Sequence, residues 1–291
     1  MERVYFVGPG RMGMALGYAL WQADAAESLT YSGRRPDPPS HPLFVQGIAR
    51  YEFGLERPAP GTTVVVLTVP DDVLPEMAHA LAGQGDGPPG CAAFHCSGAL
   101  STDVLAPLHA RGYDVGSLHP LQSIAHPVTG ADLLPGSAFA VSGGREASAV
   151  ARRLVAALGG VPLTVPVTGR PLYHAAAVTV SNHLTALVAM AGRLLVRAGV
   201  PEAQALPALL PLARGTLENL ETMGVGPSLT GPVQRGDVET VLLHLRAMEP
   251  RDRAVYTALG REMVELASAF GLADEVAERL GSAFDREEEG R

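Results

Sequence analysis

Residues 4–20 read VYFVGPGRMGMALGYAL. An apolar run leads directly into Gly8-x-Gly10-x-x-Gly13, and beyond it Met14, Leu16, Ala19 and Leu20 continue in a helix-like pattern. A strand feeding a glycine turn that opens a helix is the dinucleotide-binding pattern. The first glycine permits the turn, the second lets backbone approach a pyrophosphate, and the third lets the helix pack close to the strand. The helix N-terminus then offers free N–H groups and a partial positive charge. Gly8, Gly10, Arg11, Met12 and Gly13 are the candidate cofactor contacts; the plainer reading is a bare packing turn.

The second strand, expected over Ser28–Ser32, decides which dinucleotide fits. An NAD enzyme usually carries an acid at that tip for the ribose hydroxyls. Here Ser32 is followed by Gly33, Arg34 and Arg35. A hydroxyl and two guanidiniums suit a 2′-phosphate through bidentate hydrogen bonds, which points to NADP(H). The competing reading leaves both arginines in a solvated loop.

The 291 residues suit two domains, and 47% hydrophobic content can fill sizeable cores. No run reads as an uninterrupted apolar span, and the chain opens on a strand rather than a leader, so a cytoplasmic protein is expected. Cys91 and Cys96 read as reduced core residues. The net charge of −8 argues against nucleic acid. All 22 basic residues are arginine, which removes lysine from every catalytic role. No HExxH or CxxC spacing is present, so no metal is expected.

Further along, Thr62–Val69 reads as a buried strand with Val69-Pro70 at its carboxyl tip, where cofactors bind in such sheets. Asp71 or Asp72 is expected to cap a helix over Val73–Ala82. Strands are expected at Ala92–His95, Val115–Leu118, Ala138–Ser142 and Leu163–Val165, with helices at Thr102–Ala110 and Glu146–Leu158. This alternation predicts a doubly wound parallel sheet, an α/β domain over residues 1–167. From 168 to 291 helices dominate: Pro171–Ala198, Glu202–Leu210, Pro211–Met223, Val238–Met248 behind an Asp237 cap, and Pro250–Phe270, with a charged, frayed tail from Asp285.

A hydride-transfer enzyme needs a proton donor and a substrate clamp. Ser97 follows one strand tip, and His119, fixed by Pro120, ends another; each has a plainer reading, a turn former and a backbone-bonded histidine. On the long helix, His174, Val178, Ser181, Asn182 and Thr185 fall on one face at α-helical spacing and predict a polar stripe lining a cleft. Arg235, in the loop LTGPVQRG, is a candidate carboxylate clamp or the partner of a nearby acid.

VGPGRMG, HCSGALS, SLHPLQS, the helix with SNHL, and LTGPVQRGD together resemble a bacterial family with a Rossmann-like NADP-binding domain followed by a helical domain of unknown function. More distantly, the layout is similar to pyrroline-5-carboxylate reductase, ketopantoate reductase, prephenate dehydrogenase and the β-hydroxyacid dehydrogenases. That resemblance implies an all-helical C-terminal domain of the 6-phosphogluconate dehydrogenase type, often intertwined in a homodimer. In the prephenate dehydrogenases a serine-bearing strand end precedes a His-Pro motif, and Ser97 with His119-Pro120 matches that pair. In the ketopantoate and β-hydroxyacid groups a Lys and an Asn project from the first C-terminal helix; Asn182 matches the Asn, and His174 stands where the Lys would be. The resemblance implies a nicotinamide-dependent oxidoreductase with Ser97, His119, His174 and Asn182 as its catalytic residues; the residues themselves add Ser181 and Arg235 as candidate substrate contacts, and together they point to NADP(H)-dependent hydride transfer to or from a small carboxylate-bearing carbonyl, imine or alcohol. A prephenate-type dehydrogenase and a non-catalytic NADP(H)-sensing protein are the alternatives.

Overall fold

The computed structural model describes residues 1–289. Eight strands form one sheet in the order β3-β2-β1-β4-β5-β6-β7-β8. They are β1 (Glu2–Val7), β2 (Ala26–Gly33), β3 (Ala49–Phe53), β4 (Val64–Leu67), β5 (Ala92–His95), β6 (Asp114–Pro120), β7 (Ala138–Gly143) and β8 (Val161–Leu163). The doubly wound Rossmann-like sheet expected from the alternating pattern is present. It is mostly parallel, with one reversal: β7 runs antiparallel to β6, pairing His119 with Ala140 and Ser117 with Ser142. The 121–137 connection holds only a short 3₁₀ turn at Ala131–Leu133. Without a crossover helix the next strand returns antiparallel.

Strand alternation sorts the side chains onto two faces. Val4, Phe6, Val64, Val66, Phe94 and Leu118 pack on one side against helix α1 (Arg11–Gln22) and helix α5 (Arg145–Ala157). Tyr5, Val7, Val65, Leu67 and Ala93 pack on the other against helix α3 (Leu74–Gly83). By the same alternation His95, Ser117 and His119 belong to this second face, near the carboxyl edge. Cys91 is fully buried and both cysteines are free, as expected. Burial raises each thiol to about 12.

Several boundaries differ from expectation. The short helix α2 (Pro42–Val45) closes the proline-rich stretch, and strand β3, ARYEF, has no apolar run to mark it. Helix α3 begins at Leu74 with no side-chain cap, so neither Asp71 nor Asp72 caps it. The long helical run divides into α6 (Arg170–Val178), a π-turn at Thr179–His183, and α7 (Leu184–Arg197). By length and composition Val167–Arg197 is apolar enough to cross a membrane, contrary to the expectation of no such run. The buried Arg170 bonds its first turn into the α/β unit.

The compact units are Met1–Ser181 and Asn182–Arg291. The boundary drawn at 167 from composition falls earlier, because α6 carries side chains bonded to the sheet. In the second unit α8 runs unbroken over Glu202–Met223 through Pro207 and Pro211, where two helices were expected. Each proline costs one backbone bond, which bends a helix more readily than it ends a long one. Helix α9 (Gly231–Gln234), α10 (Val238–Ala247), α11 (Pro250–Ala269) and α12 (Asp274–Glu289) follow. Val233, Val241, Leu245, Ala267, Leu280 and Phe284 form this unit's core. Asp237 caps α10, accepting from the Thr240 N–H at 3.1 Å, as expected. The tail from Asp285, expected to fray, continues as helix to Glu289; Gly290 and Arg291 lie outside the described residues.

Candidate active site

The glycine turn comes first. Gly8 has φ +98°, a conformation that favours glycine. Its N–H donates to Ser32 O at 3.0 Å, tying β1's tip to β2. A β-carbon on Gly13 would collide with Thr68 Oγ1 and Gly8 O, so the third glycine allows the close packing expected of it. Thr68 Oγ1 donates to Gly8 O at 2.6 Å, which locks β4's tip against the turn. Helix α1 starts after Gly10 with no side-chain cap, leaving its first N–H groups for an incoming anion. Gly8, Gly10, Arg11, Met12 and Gly13 thus form a bare backbone cradle beside Val69 and Pro70, and a dinucleotide's pyrophosphate fits it. Ser32 is buried, and its hydroxyl donates to Gly54 O at 2.7 Å, so it shapes the turn from within. Arg34 and Arg35 are exposed just beyond β2.

Immediately past β4's tip the chain changes role. Asp71 Oδ2 accepts from Ser97 Oγ at 2.7 Å. Ser97 Oγ itself accepts from the N–H groups of Ala99 and Leu100 at 3.2 and 3.0 Å. Its N–H donates to His95 Nδ1 at 3.1 Å. Ser97 is therefore engaged on every side and builds the turn after β5. His119 Nδ1 lies 2.7 Å from the Tyr173 hydroxyl, with the rings edge-on at 83°. The His119 and His174 rings lie 6.3 Å apart, centroid to centroid. A β-carbon on Gly98 would sit 2.8 Å from His174 Nδ1 and 2.9 Å from His119 Nε2. Both imidazoles thus close on the backbone at Gly98, and the residue there must be small.

Arg170 anchors the arrangement. It is 3% exposed and donates to Leu100 O at 2.6 Å, to Ser142 Oγ at 2.6 Å and to Ser117 Oγ. The two serine hydroxyls are 2.8 Å apart on paired strands β6 and β7. A cation held by neutral oxygens gives the site positive potential, and burial lowers the Arg170 pKa. His119 is pushed down to about 4, first by burial, then by His174 and Arg170, with Asp71 opposing. His95 falls to about 4 for the same first reason. Both rings are neutral near pH 7.

The polar stripe is realised in part. His174, Val178 and Ser181 are half-buried on one side of the run, while Asn182 and Thr185 are exposed. The π-turn inserts an extra residue per turn and rotates the later positions off the predicted face. Ser181 Oγ donates to Ala177 O at 2.7 Å. In the second unit, exposed Arg235 follows α9 near Asp237, whose carboxyl pKa is held down chiefly by its bonds to Thr240 and only slightly by Arg235.

Asp71, Arg170 and Tyr173 were not singled out as site residues from sequence. Arg170 and Tyr173 had a usable signal: a lone cation opening an apolar helix, and an aromatic beside the candidate His174. Asp71 had none, since capping explains an acid before a helix equally well.

Residues 2–120 match the family model of a Rossmann-like domain, and residues 137–263 match DUF2520, a domain of unknown function. The chain is thus a Rossmann-like domain joined to DUF2520. No curated protein matches it. A Thermotoga maritima protein is similar in structure, with TM-score 0.69 and 24% identity over 91% of this chain and 98% of that one. A Bacteroides fragilis protein described as a candidate NADP oxidoreductase has TM-score 0.72 and 20% identity over 91% and 98%. A Plasmodium falciparum pyrroline carboxylate reductase with NADP bound has TM-score 0.62 and 14% identity over 97% and 98%. These likenesses establish the shared fold.

Proposed function

We propose that the protein is an NADP(H)-dependent oxidoreductase acting on a small carboxylate-bearing carbonyl, imine or alcohol. One observation carries this reading. The tip of β4 touches the glycine turn through Thr68 and holds Ser97 through Asp71, so a bare phosphate cradle and a cluster of imidazoles share one sheet edge. Titratable groups displaced from their ordinary pKa values at the carboxyl edge of such a sheet mark a reaction site. The similar proteins whose descriptions mention NADP support the choice of cofactor.

In this reading Gly8, Gly10, Arg11, Met12 and Gly13 hold the pyrophosphate, Val69 and Pro70 flank it, and Arg34 and Arg35 take the 2′-phosphate. Bound nicotinamide supplies or accepts hydride. His119 exchanges the proton with the substrate heteroatom: in reduction the neutral ring gives up its N–H proton while its other nitrogen takes one from the Tyr173 hydroxyl, which solvent resupplies, and in oxidation the path reverses. Arg170 gives the positive potential that suits an anionic substrate. Ser97 and Asp71 fix the loop that carries Gly98, and His174 walls the pocket. Ser181, further along the same helical run, orients the substrate. The working form is a homodimer, and a 30.3 kDa species in light scattering would contradict that part.

The test is NADPH oxidation, followed by absorbance, over ketopantoate, pyrroline-5-carboxylate and related oxo acids, with NADH in parallel. Turnover of one member with preference for NADPH supports the reading. A second reading has its own observation: a neutral His119 is ready to accept a proton, which suits a dehydrogenase. NADP⁺ reduction by a hydroxy acid, with no reaction in the other panel, would favour it. Binding of both redox forms with no turnover in either direction would leave the sensor.

A further inference from the structure

We infer that Tyr173 is a positioning residue: it decides which ring nitrogen of His119 carries the proton, and so points an N–H at the substrate. The inference rests on the reading of His119 as the proton-exchanging group. Its geometry stands independently of that reading.

The Tyr173 hydroxyl is 2.7 Å from His119 Nδ1, with the rings edge-on. Its height on α6 is not left to chance. Arg170, one turn earlier, is bonded to Leu100, Ser117 and Ser142 and pins the start of that helix to the sheet. The other face of His119 turns to Gly98 and His174: Nε2 and His174 Nδ1 both border the space that a β-carbon on Gly98 would take. Among the described residues, the buried His174 Nδ1 has no hydrogen-bond partner.

A neutral imidazole has one N–H and one acceptor nitrogen, and the bond made by one nitrogen sets the role of the other. Every group facing His119 bears on its charge. From α6 these are Arg170, Tyr173 and His174; from the segment after β4, Asp71; from β5, His95. The balance, led by burial, keeps the ring neutral. A phenol is a far stronger acid than a neutral imidazole N–H, so the tyrosine donates and Nδ1 accepts. The proton then sits on Nε2, the nitrogen facing Gly98. Were Tyr173 absent, both tautomers would be populated, and some of the molecules would present a lone pair where a donor is needed.

The test reads the tautomer directly. In the ¹⁵N-labelled full chain, long-range ¹H–¹⁵N correlation at neutral pH reports the two ring nitrogens, with His119 assigned by its loss in His119→Gln. The expected wild-type pattern is a protonated Nε2 and a hydrogen-bonded, unprotonated Nδ1. In Tyr173→Phe the nitrogens should shift toward a tautomer mixture. The ring's titration midpoint should rise by about half to one pH unit, because a bond made only to the neutral form is gone. A proton on Nδ1 in the wild type would overturn the inference even if the variant failed to fold. So would a folded Tyr173→Phe with unchanged tautomer and midpoint. Because these readouts need no substrate, they separate the two claims. The expected tautomer with no turnover on any substrate contradicts the proposed function alone. Turnover with an unshifted pH profile in Tyr173→Phe contradicts this inference alone.

Discussion

The two ends of the candidate site are built on opposite plans. The glycine turn works by leaving things out: no β-carbon at Gly8, Gly10 or Gly13, and no side chain capping α1. The imidazole cluster works by side-chain hydrogen bonding. Ser97 makes four hydrogen bonds counting its N–H, and Arg170 meets three oxygens. A backbone cradle recognises what cofactors have in common, a pyrophosphate, and is disturbed only where a new atom intrudes. A side-chain network holds one geometry, and removing any member strands a buried partner at full desolvation cost.

That contrast sets an order of effects. The largest falls where the backbone cradle recruits side chains. Replacing Arg34 and Arg35 together by alanine removes the two guanidiniums proposed to hold the 2′-phosphate and should weaken NADPH binding by about 10²- to 10⁴-fold. NADH binding should change little, and equal losses in fluorescence titrations would show that neither arginine reads the 2′-phosphate. Next, Gly13→Ala drives a methyl into Thr68 and Gly8; overpacking of this kind costs about 1–3 kcal/mol. The loss should appear in both cofactor affinities equally, in contrast to the arginine pair. Of similar or smaller size, Ser97→Ala strips the acceptor from two N–H groups and the donor from Asp71, at about 1–3 kcal/mol in urea unfolding. NADPH affinity should be retained in that variant, because the loss is confined to the cluster.

The cluster also leaves its mark on the pH dependence of stability. His95 and His119 each fall from 6.5 to about 4 on folding, so the unfolded chain binds protons first as pH drops. Their contribution is complete above about pH 6.5 and is lost progressively toward about pH 4. His119→Gln removes one titrating ring, and its melting temperature should fall less steeply over that window than the wild type's. Parallel slopes would place the neutral histidines elsewhere.

The same contrast explains how much was readable beforehand. The turn is contiguous, so its strand, three glycines and helix lie in one stretch of chain and announce their geometry. The Rossmann-like sheet followed from the strand–helix alternation that begins there. The cluster assembles residues 71, 95–98, 117–119, 142 and 170–174 from separate segments, and only packing brings them together. His119 and Ser97 stood out because strand tips and a following proline mark them. Asp71 passed as a helix cap because an acid before a helix has two explanations that spacing cannot separate. The stripe from His174 to Thr185 failed halfway, since a π-turn has no sequence signature and any count at α-helical spacing drifts past it. The reversal at β7 was hidden for a similar reason: alternation gives a strand's existence, while its direction depends on the connection.

The most direct test of the account compares wild type and His119→Ala, measuring NADPH affinity and turnover on the same protein samples with the best substrate of the panel. The account expects NADPH to bind both with equal affinity and turnover to fall by about 10²- to 10⁴-fold, the range for losing a general acid or base. Near-normal turnover in the variant, or loss of NADPH binding along with activity, would contradict the division of labour between backbone cradle and imidazole cluster.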